Sequence, residues 1–208
     1  MPIARLNNKN IYFSHIPKCG GTSVEEFLKT ITGADLSFLD RNFNINTMAW
    51  NTSSPQHITG KDLEKLFSIT FFDAFFTVTR HPFDRLHSAF IFQKYFVKSI
   101  APETDINHFV AKLEDYQVLL SGRYDNHFLP QISFLYPGAS YRFFKLEHGL
   151  DGLRKYIGSV FDVDVTNISM PHSKKQPMRP SLEINTLNEH SKKIIKVIYK
   201  LDFENFNY

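Results

Sequence analysis

The sequence predicts an α/β fold, a P-loop-like parallel sheet flanked by helices on both faces. Three observations carry that prediction. Short runs rich in Phe, Tyr, Ile, Val and Thr alternate with segments of helical period. Two of those runs end in a sharp turn followed at once by helix-start residues, at Pro17-Lys-Cys-Gly-Gly21 and at Arg80-His-Pro82. No internal repeat or low-complexity stretch interrupts the alternation, and strands separated by helices favour parallel pairing.

Taken in order, Asn10 to His15 reads as a buried strand, and Thr22 to Ile31 as a helix closed by Gly33. Residues 34–56 read as an irregular surface excursion. Thr59 and Asp62 form a capping box that opens a short helix through Phe67. Phe71 to Thr79 is a second buried strand, and Pro82 suits the first turn of a long aromatic helix reaching Lys98. Asp105 caps a helix to Leu120, with Gly122 beyond its end. Tyr141 to Lys145 is a third strand, followed by a short helix from Gly149 to Tyr156 that ends at Gly158. Met170 to Pro180 holds three prolines, three Lys or Arg residues and a histidine, and reads as a loop. Thr186 and Glu189 cap a final helix to Leu201.

At 208 residues, the chain is expected to form a single domain spanning residues 1–208. Phenylalanine occurs 21 times and tyrosine 9 times, so aromatic side chains should dominate the interior. A net charge of +3 accommodates an anionic ligand but is too weak to point to nucleic acid. The single cysteine, Cys19, excludes an internal disulfide and a cysteine-rich metal site. No run reaches the ~18 apolar residues of a membrane span, and the N-terminus lacks the apolar core of a secretory signal. The expectation is a cytoplasmic protein without a transmembrane segment. Its oligomeric state is not legible.

The stretch Ile11-Tyr-Phe-Ser-His-Ile-Pro-Lys-Cys-Gly-Gly-Thr-Ser23 joins a strand to a helix through two glycines. Gly20 and Gly21 let the backbone approach an anion, Lys18 adds a mobile charge, and Thr22 and Ser23 add hydroxyls at a helix N-terminus. The bland alternative is a Gly-Gly turn beside a solvated lysine. The loop is no Walker A motif, because its lysine precedes the glycines. The second strand ends in Arg80, where a magnesium-binding NTPase would want an aspartate. Arg80, Pro82, Arg85 and Ser88 form a second constellation, in which Arg80 and Ser88 can meet a second phosphate. An arginine at a strand end is otherwise a surface ion pair. Ligands of open α/β sheets bind at the C-terminal ends of strands, where both clusters fall.

Pro-Lys-Cys-Gly-Gly-Thr-Ser followed by Arg80-His-Pro-x2-Arg-x2-Ser resembles the two signature motifs of sulfotransferases that use 3'-phosphoadenosine 5'-phosphosulfate (PAPS). The resemblance is closest to the carbohydrate branch that includes heparan sulfate 2-O-sulfotransferases and small bacterial relatives. It continues through residues 55–59, 127–135, 141–153 and 170–175 and the terminal Val-Ile-Tyr-Lys-Leu-Asp-Phe-Glu-Asn-Phe-Asn-Tyr. The resemblance implies that Pro17, Lys18, Cys19, Gly20, Gly21, Thr22 and Ser23 hold the 5'-phosphosulfate, with Lys18 stabilising the leaving phosphate. Arg80 and Ser88 would hold the 3'-phosphate, and Ser173 and Lys174 would close over the nucleotide. Cys19 departs from the commoner threonine; a thiolate there, beside a helix N-terminus, would be oxidation-prone.

His57, in a polar turn, matches a histidine of the carbohydrate branch and is the expected general base; an ordinary imidazole accepts a proton near neutral pH. His127 and Gln131 are expected to line the donor or acceptor site, or else to fix the turn at Pro130. The histidine spacings show no metal-binding pair, so no metal is expected. These expectations describe transfer from PAPS to a carbohydrate hydroxyl. The alternatives are a sulfotransferase for a small molecule, lipid or peptide tyrosine, a non-catalytic nucleotide-binding module, or a P-loop kinase.

Overall fold

A computed structural model describes residues 2–40, 42–44, 51–115, 118–119, 122–171 and 187–208. Among them is a five-stranded sheet of order β3-β1-β2-β4-β5. The strands are β1 (Ile3–Leu6), β2 (Lys9–Ser14), β3 (Asp35–Ser37), β4 (Ala74–Thr79) and β5 (Tyr141–Lys145). Pairs β2–β4 and β4–β5 are parallel, whereas β1 runs antiparallel to both of its neighbours. The sheet is therefore mixed rather than wholly parallel. Asn7 and Asn8 explain the reversal: both have positive φ, 50° and 59°, as a two-residue hairpin turn requires, and asparagine tolerates that region.

Neither β1 nor β3 is among the sequence-predicted strands, and β3 falls inside the expected excursion of 34–56. Both are short, and β3 is an edge strand. The two central strands are legible because they are buried throughout: Ile11 to Ser14 and Phe75 to Thr79 are solvent-excluded in unbroken runs. An unbroken buried run means that both faces of the sheet are covered. Phe13 stacks on Phe76 at 4.9 Å on one face, where Phe76 also meets Tyr156. Tyr12, Phe72, Phe75 and Tyr136 pack in tilted and edge-to-face pairs on the other.

The helices are α1 (Gly21–Thr30), α2 (Gly60–Leu63), α3 (Pro82–Ile91), α4 (Ile106–Lys112), α5 (Asp151–Phe161), α6 (Glu189–Ile198) and α7 (Lys200–Asn205). A π-helical turn, Phe92–Val97, extends α3. The predicted caps at Thr59 and Asp105 accept the N–H groups of Asp62 and of Asn107 and His108. Three expectations shift. Helix α2 stops at Leu63, and α4 ends at Lys112. Gly158 lies inside α5, where a Cβ would come within 2.6 Å of Val165 and 3.0 Å of the Val163 carbonyl, so close approach, not a helix stop, requires glycine. The expected final helix is split into α6 and α7, and α6 is capped by Asn188, which accepts the Ser191 N–H; Thr186 lies outside the described residues. No helix among the described residues is long and apolar enough to cross a membrane.

Candidate active site

Parallel pairing of β2 with β4 sets Ser14 beside Thr77, and the Thr77 hydroxyl donates to the Ser14 carbonyl at 2.7 Å. The chain segments leaving these two strands therefore emerge side by side at one edge of the sheet. After β2 the backbone takes positive φ at Lys18 (69°) and Gly20 (81°) before α1 begins at Gly21. The first turn of a helix leaves N–H groups without intrahelical acceptors, and no side chain caps α1. Its N-terminus lines an open cavity, with the N–H groups of Gly21 and Thr22 leading, while that of Ser23 turns back to the Gly20 carbonyl at 3.0 Å. Gly21 is dictated by contact, because a Cβ there would fall 2.1 Å from the His15 ring.

The segment after β4 is fixed by Gln131. Its amide oxygen accepts the Arg80 N–H (3.0 Å) and faces the Cys19 thiol (3.4 Å), while its amide nitrogen donates to the Arg80 carbonyl (2.8 Å). Asp202 on α7 accepts the N–H groups of Gln131 and Ile132 at 2.8 and 2.9 Å. Gln131 is completely buried and does not line the cavity, so the expected substrate contact is instead a staple between the two loops. Pro17 and Cys19 are likewise buried away from the cavity lining. Burial pushes the Cys19 thiol up to about 12, against the pull of Arg85 and Arg80, which removes the thiolate that oxidation would need. The Cys19 N–H is also spent, on the Ile16 carbonyl. Arg85 is buried too; it donates to the carbonyls of His127 and Leu129, holding that turn rather than a ligand.

A cavity of about 2040 Å³, open to solvent, is lined by Lys18, the Gly20–Ser23 loop, Arg80, Ser88, His57 and His127, among others. The predicted phosphate-contacting groups and the predicted base thus share one space. Arg80 Nη1 donates to the Lys18 carbonyl at 3.2 Å, tying the two loops together. Lys18 Nζ lies 4.1 Å from the centroid of the Phe92 ring. Ser173 and Lys174 lie outside the described residues.

His57 closes a single 3-10 turn, Pro55–His57, and is only 9% exposed. Its Nδ1 lies 2.6 Å from Asp125 Oδ2. Burial raises the Asp125 pKa, but the facing His57, together with hydrogen bonds from His57 and Ser54, outweighs it and holds the carboxylate well below its usual range. An ionised carboxylate can only accept, so the Nδ1–H of His57 points at Asp125 and the lone pair is left on Nε2. Ser54 fixes Asp125 in turn, its N–H donating to Oδ1 at 2.7 Å and its hydroxyl to Oδ2 at 2.9 Å.

Two further histidines flank this pair. His127 donates from Nδ1 to the Tyr124 carbonyl at 2.8 Å, and its ring meets His57 edge-on at 5.0 Å. Burial drives its pKa down to about 3, aided by His57 and Lys18, so it is neutral. His15 meets the other side of His57 at 5.1 Å and bonds Glu25 Oε1 at 2.5 Å; burial lowers it to about 4 despite that carboxylate. Asp125, Ser54, His15 and Glu25 are absent from the sequence-predicted site. Nothing local marks Asp125, which meets its partner across 68 residues. His15 could have been found from its place at the end of β2, directly before the loop. Ligand atoms of His57, Asp125 and His127 lie within 4.8 Å of one another, a spacing a metal ion could bridge. Both Asp125 oxygens, however, already accept from Ser54 or His57, and those donors compete for them.

The chain was compared with known proteins. The model of the sulfotransferase family matches residues 3–208. No curated protein and no solved structure matches the chain.

Proposed function

Because the chain belongs to the sulfotransferase family, and is thereby a sulfuryl-transferring enzyme, we propose that it moves the sulfuryl group of PAPS to a hydroxyl of a carbohydrate. The observation that carries this reading is the His57–Asp125 pair opening on the same cavity as Lys18 and the uncapped start of α1. Binding alone needs anion donors. Transfer also needs a proton acceptor, and an imidazole oriented by a carboxylate is a group suited to that task.

In this scheme the P-loop-like turn from Lys18 to Ser23 receives the 5'-phosphosulfate, and Arg80 with Ser88 receives the 3'-phosphate. The acceptor oxygen attacks sulfur as its proton passes to His57 Nε2. The bond between sulfur and the bridging phosphate oxygen breaks, its electron pair stays on that oxygen, and Lys18 stabilises the charge. Asp125 keeps the proton on Nδ1 before the step and stabilises the imidazolium after it. No metal is assigned a role.

The cavity lining supports the acceptor class. Asn42, Asn44 and Gln56 carry amides, Phe43 and Tyr124 carry rings, and Arg123 and Arg154 are the lining Lys or Arg residues, among those described, that the scheme leaves unassigned. Amides and aromatic faces suit the hydroxyls and C–H faces of a neutral or lightly charged sugar, whereas a densely sulfated polymer calls for clustered cations. The test is calorimetry with 3'-phosphoadenosine 5'-phosphate (PAP) in the absence of magnesium, followed by transfer from labelled PAPS to oligosaccharides. Wild type should bind. Arg80→Ala should weaken binding ~10- to 100-fold, the scale of a lost charge-assisted contact. ATP binding that requires magnesium would overturn the proposal.

A further inference from the structure

We propose that Phe92 is a positioning residue, gathering the Lys18 ammonium and the His127–His57 pair around one aromatic ring. The inference rests on the reading of Lys18 and His57 given above. Lys18 Nζ sits 4.1 Å from the Phe92 centroid. The His127 ring is stacked on Phe92 at 5.2 Å and 10°, and His57 meets His127 edge-on at 5.0 Å. Phe96 adds a second parallel contact at 6.0 Å and 20°. The side chains assigned to leaving-group stabilisation and to proton acceptance are thereby linked through two rings, Phe92 and His127, although they arise from segments far apart in sequence.

Three features make this more than a chance contact. Phe92 lines the cavity and is half-buried, so the core does not account for its place. It begins the π-helical turn Phe92–Val97, and such turns are enriched at functional sites because they re-aim side chains. Lys18 leaves a backbone with φ of 69°, which costs energy for a non-glycine residue and directs its flexible side chain from a constrained origin. An aromatic face attracts an ammonium ion without neutralising it. His127 suits the same ring because it is neutral and can stack there without repelling the lysine.

The consequence is a split between binding and turnover. Phe92→Leu keeps bulk but removes the π face, so Lys18 and His127 lose their common reference. PAP affinity should stay within about 2-fold, while kcat for transfer from PAPS to a neutral oligosaccharide should fall about 10-fold, a change within reach of a partly desolvated cation–π contact. Phe92→Trp should recover most of the rate. A second readout does not depend on turnover: in wild type without nucleotide, the terminal methylene of Lys18, assigned through Lys18→Arg, should be shifted upfield by the ring. That shift should vanish in Phe92→Leu and persist in Phe92→Trp.

A Lys18 methylene without an upfield shift in wild type would overturn the stack, whether or not the enzyme transfers sulfate. Equal kcat loss in the Leu and Trp variants would also overturn it, since a merely space-filling role needs no π face. Failure of wild type to use PAPS at all would defeat the functional reading instead, and the methylene shift would still report on the stack.

Discussion

Replacing Asp125 with asparagine tests whether His57 is a base, because the substitution removes one acceptor and leaves the volume unchanged. Asp125 accepts from the Ser54 N–H at Oδ1 (2.7 Å), and from the Ser54 hydroxyl (2.9 Å) and His57 Nδ1 (2.6 Å) at Oδ2. An amide has one oxygen for these positions. With its nitrogen toward Ser54 N–H, two donors would meet at a backbone group that cannot rotate, costing ~1–3 kcal/mol. The cheaper arrangement keeps oxygen toward Ser54 and turns the amide nitrogen toward His57. That nitrogen donates, so the imidazole must accept at Nδ1 and carry its proton on Nε2. The lone pair facing the cavity is then gone. General base catalysis is worth ~10²–10⁴-fold, equivalent to ~2.7–5.5 kcal/mol of barrier. We expect kcat of Asp125→Asn to fall within that range in steady-state assays with labelled PAPS, with PAP affinity by calorimetry unchanged. His57→Ala should lose a similar amount, and the double variant little more, because the two act as a unit. A kcat within about 3-fold of wild type in Asp125→Asn would refute the base assignment.

Other consequences follow from the same geometry. Gly21→Ala places a Cβ 2.1 Å from the His15 ring, so the loop or the ring must move, and PAP binding measured by calorimetry should drop at least ~10-fold. Cys19, with its thiol raised to about 12 by burial, should resist iodoacetamide at pH 8 in the native protein and react fully in urea; rapid native alkylation would contradict its burial. His15 and His127 are lowered to about 4 and 3 in the folded chain, both below the ordinary ~6.5 of the unfolded one. The unfolded state therefore binds more protons below pH ~6.5, and stability is full above that pH and falls as pH drops toward these values. Urea unfolding should show losses of up to ~2 kcal/mol per histidine between pH 6.5 and 5, with a shallower dependence in His15→Gln.

The parts legible in the sequence are those whose chemistry is written in contiguous residues. The anion cradle proposed for Lys18 to Ser23 would use the backbone of one loop, so this stretch and Arg80 to Ser88 carry their signals locally. Buried strands such as β2 and β4 are equally visible, since apolar residues must occupy both faces. The antiparallel β1 was missed although Asn7-Asn8 is a hairpin signal, because four residues give too short a pattern to count. Gly158 was misread because the sequence shows a glycine but not what comes near it. Gln131 reads from the sequence either as a site-lining residue or as one that fixes the turn at Pro130, and only the fold shows that it is buried between Arg80 and Cys19.

His57 and His127 stand out in the sequence, but the frame that holds the proposed base, Asp125 and Ser54, does not, and this has a physical cause. A carboxylate orients an imidazole through one hydrogen bond, which constrains the positions of two atoms and says nothing about the sequence between them. Asp125 is 68 residues from His57, and Tyr124, whose carbonyl fixes His127, is equally unremarkable as a letter. What brings them together is the turn at 122–129, held from beneath by buried Arg85 through the carbonyls of His127 and Leu129. Arg85 belongs to the same motif as Arg80 and Ser88, so one contiguous stretch serves both halves. Arg80 and Ser88 face the cavity, while Arg85 faces inward and sets the turn that carries Asp125 and His127. Arg85→Met should therefore act on turnover through the His57–Asp125 geometry, while Arg80→Ala acts on nucleotide affinity. If Arg85→Met folded and lost PAP affinity as strongly as Arg80→Ala, with kcat untouched, this division of the motif would be wrong.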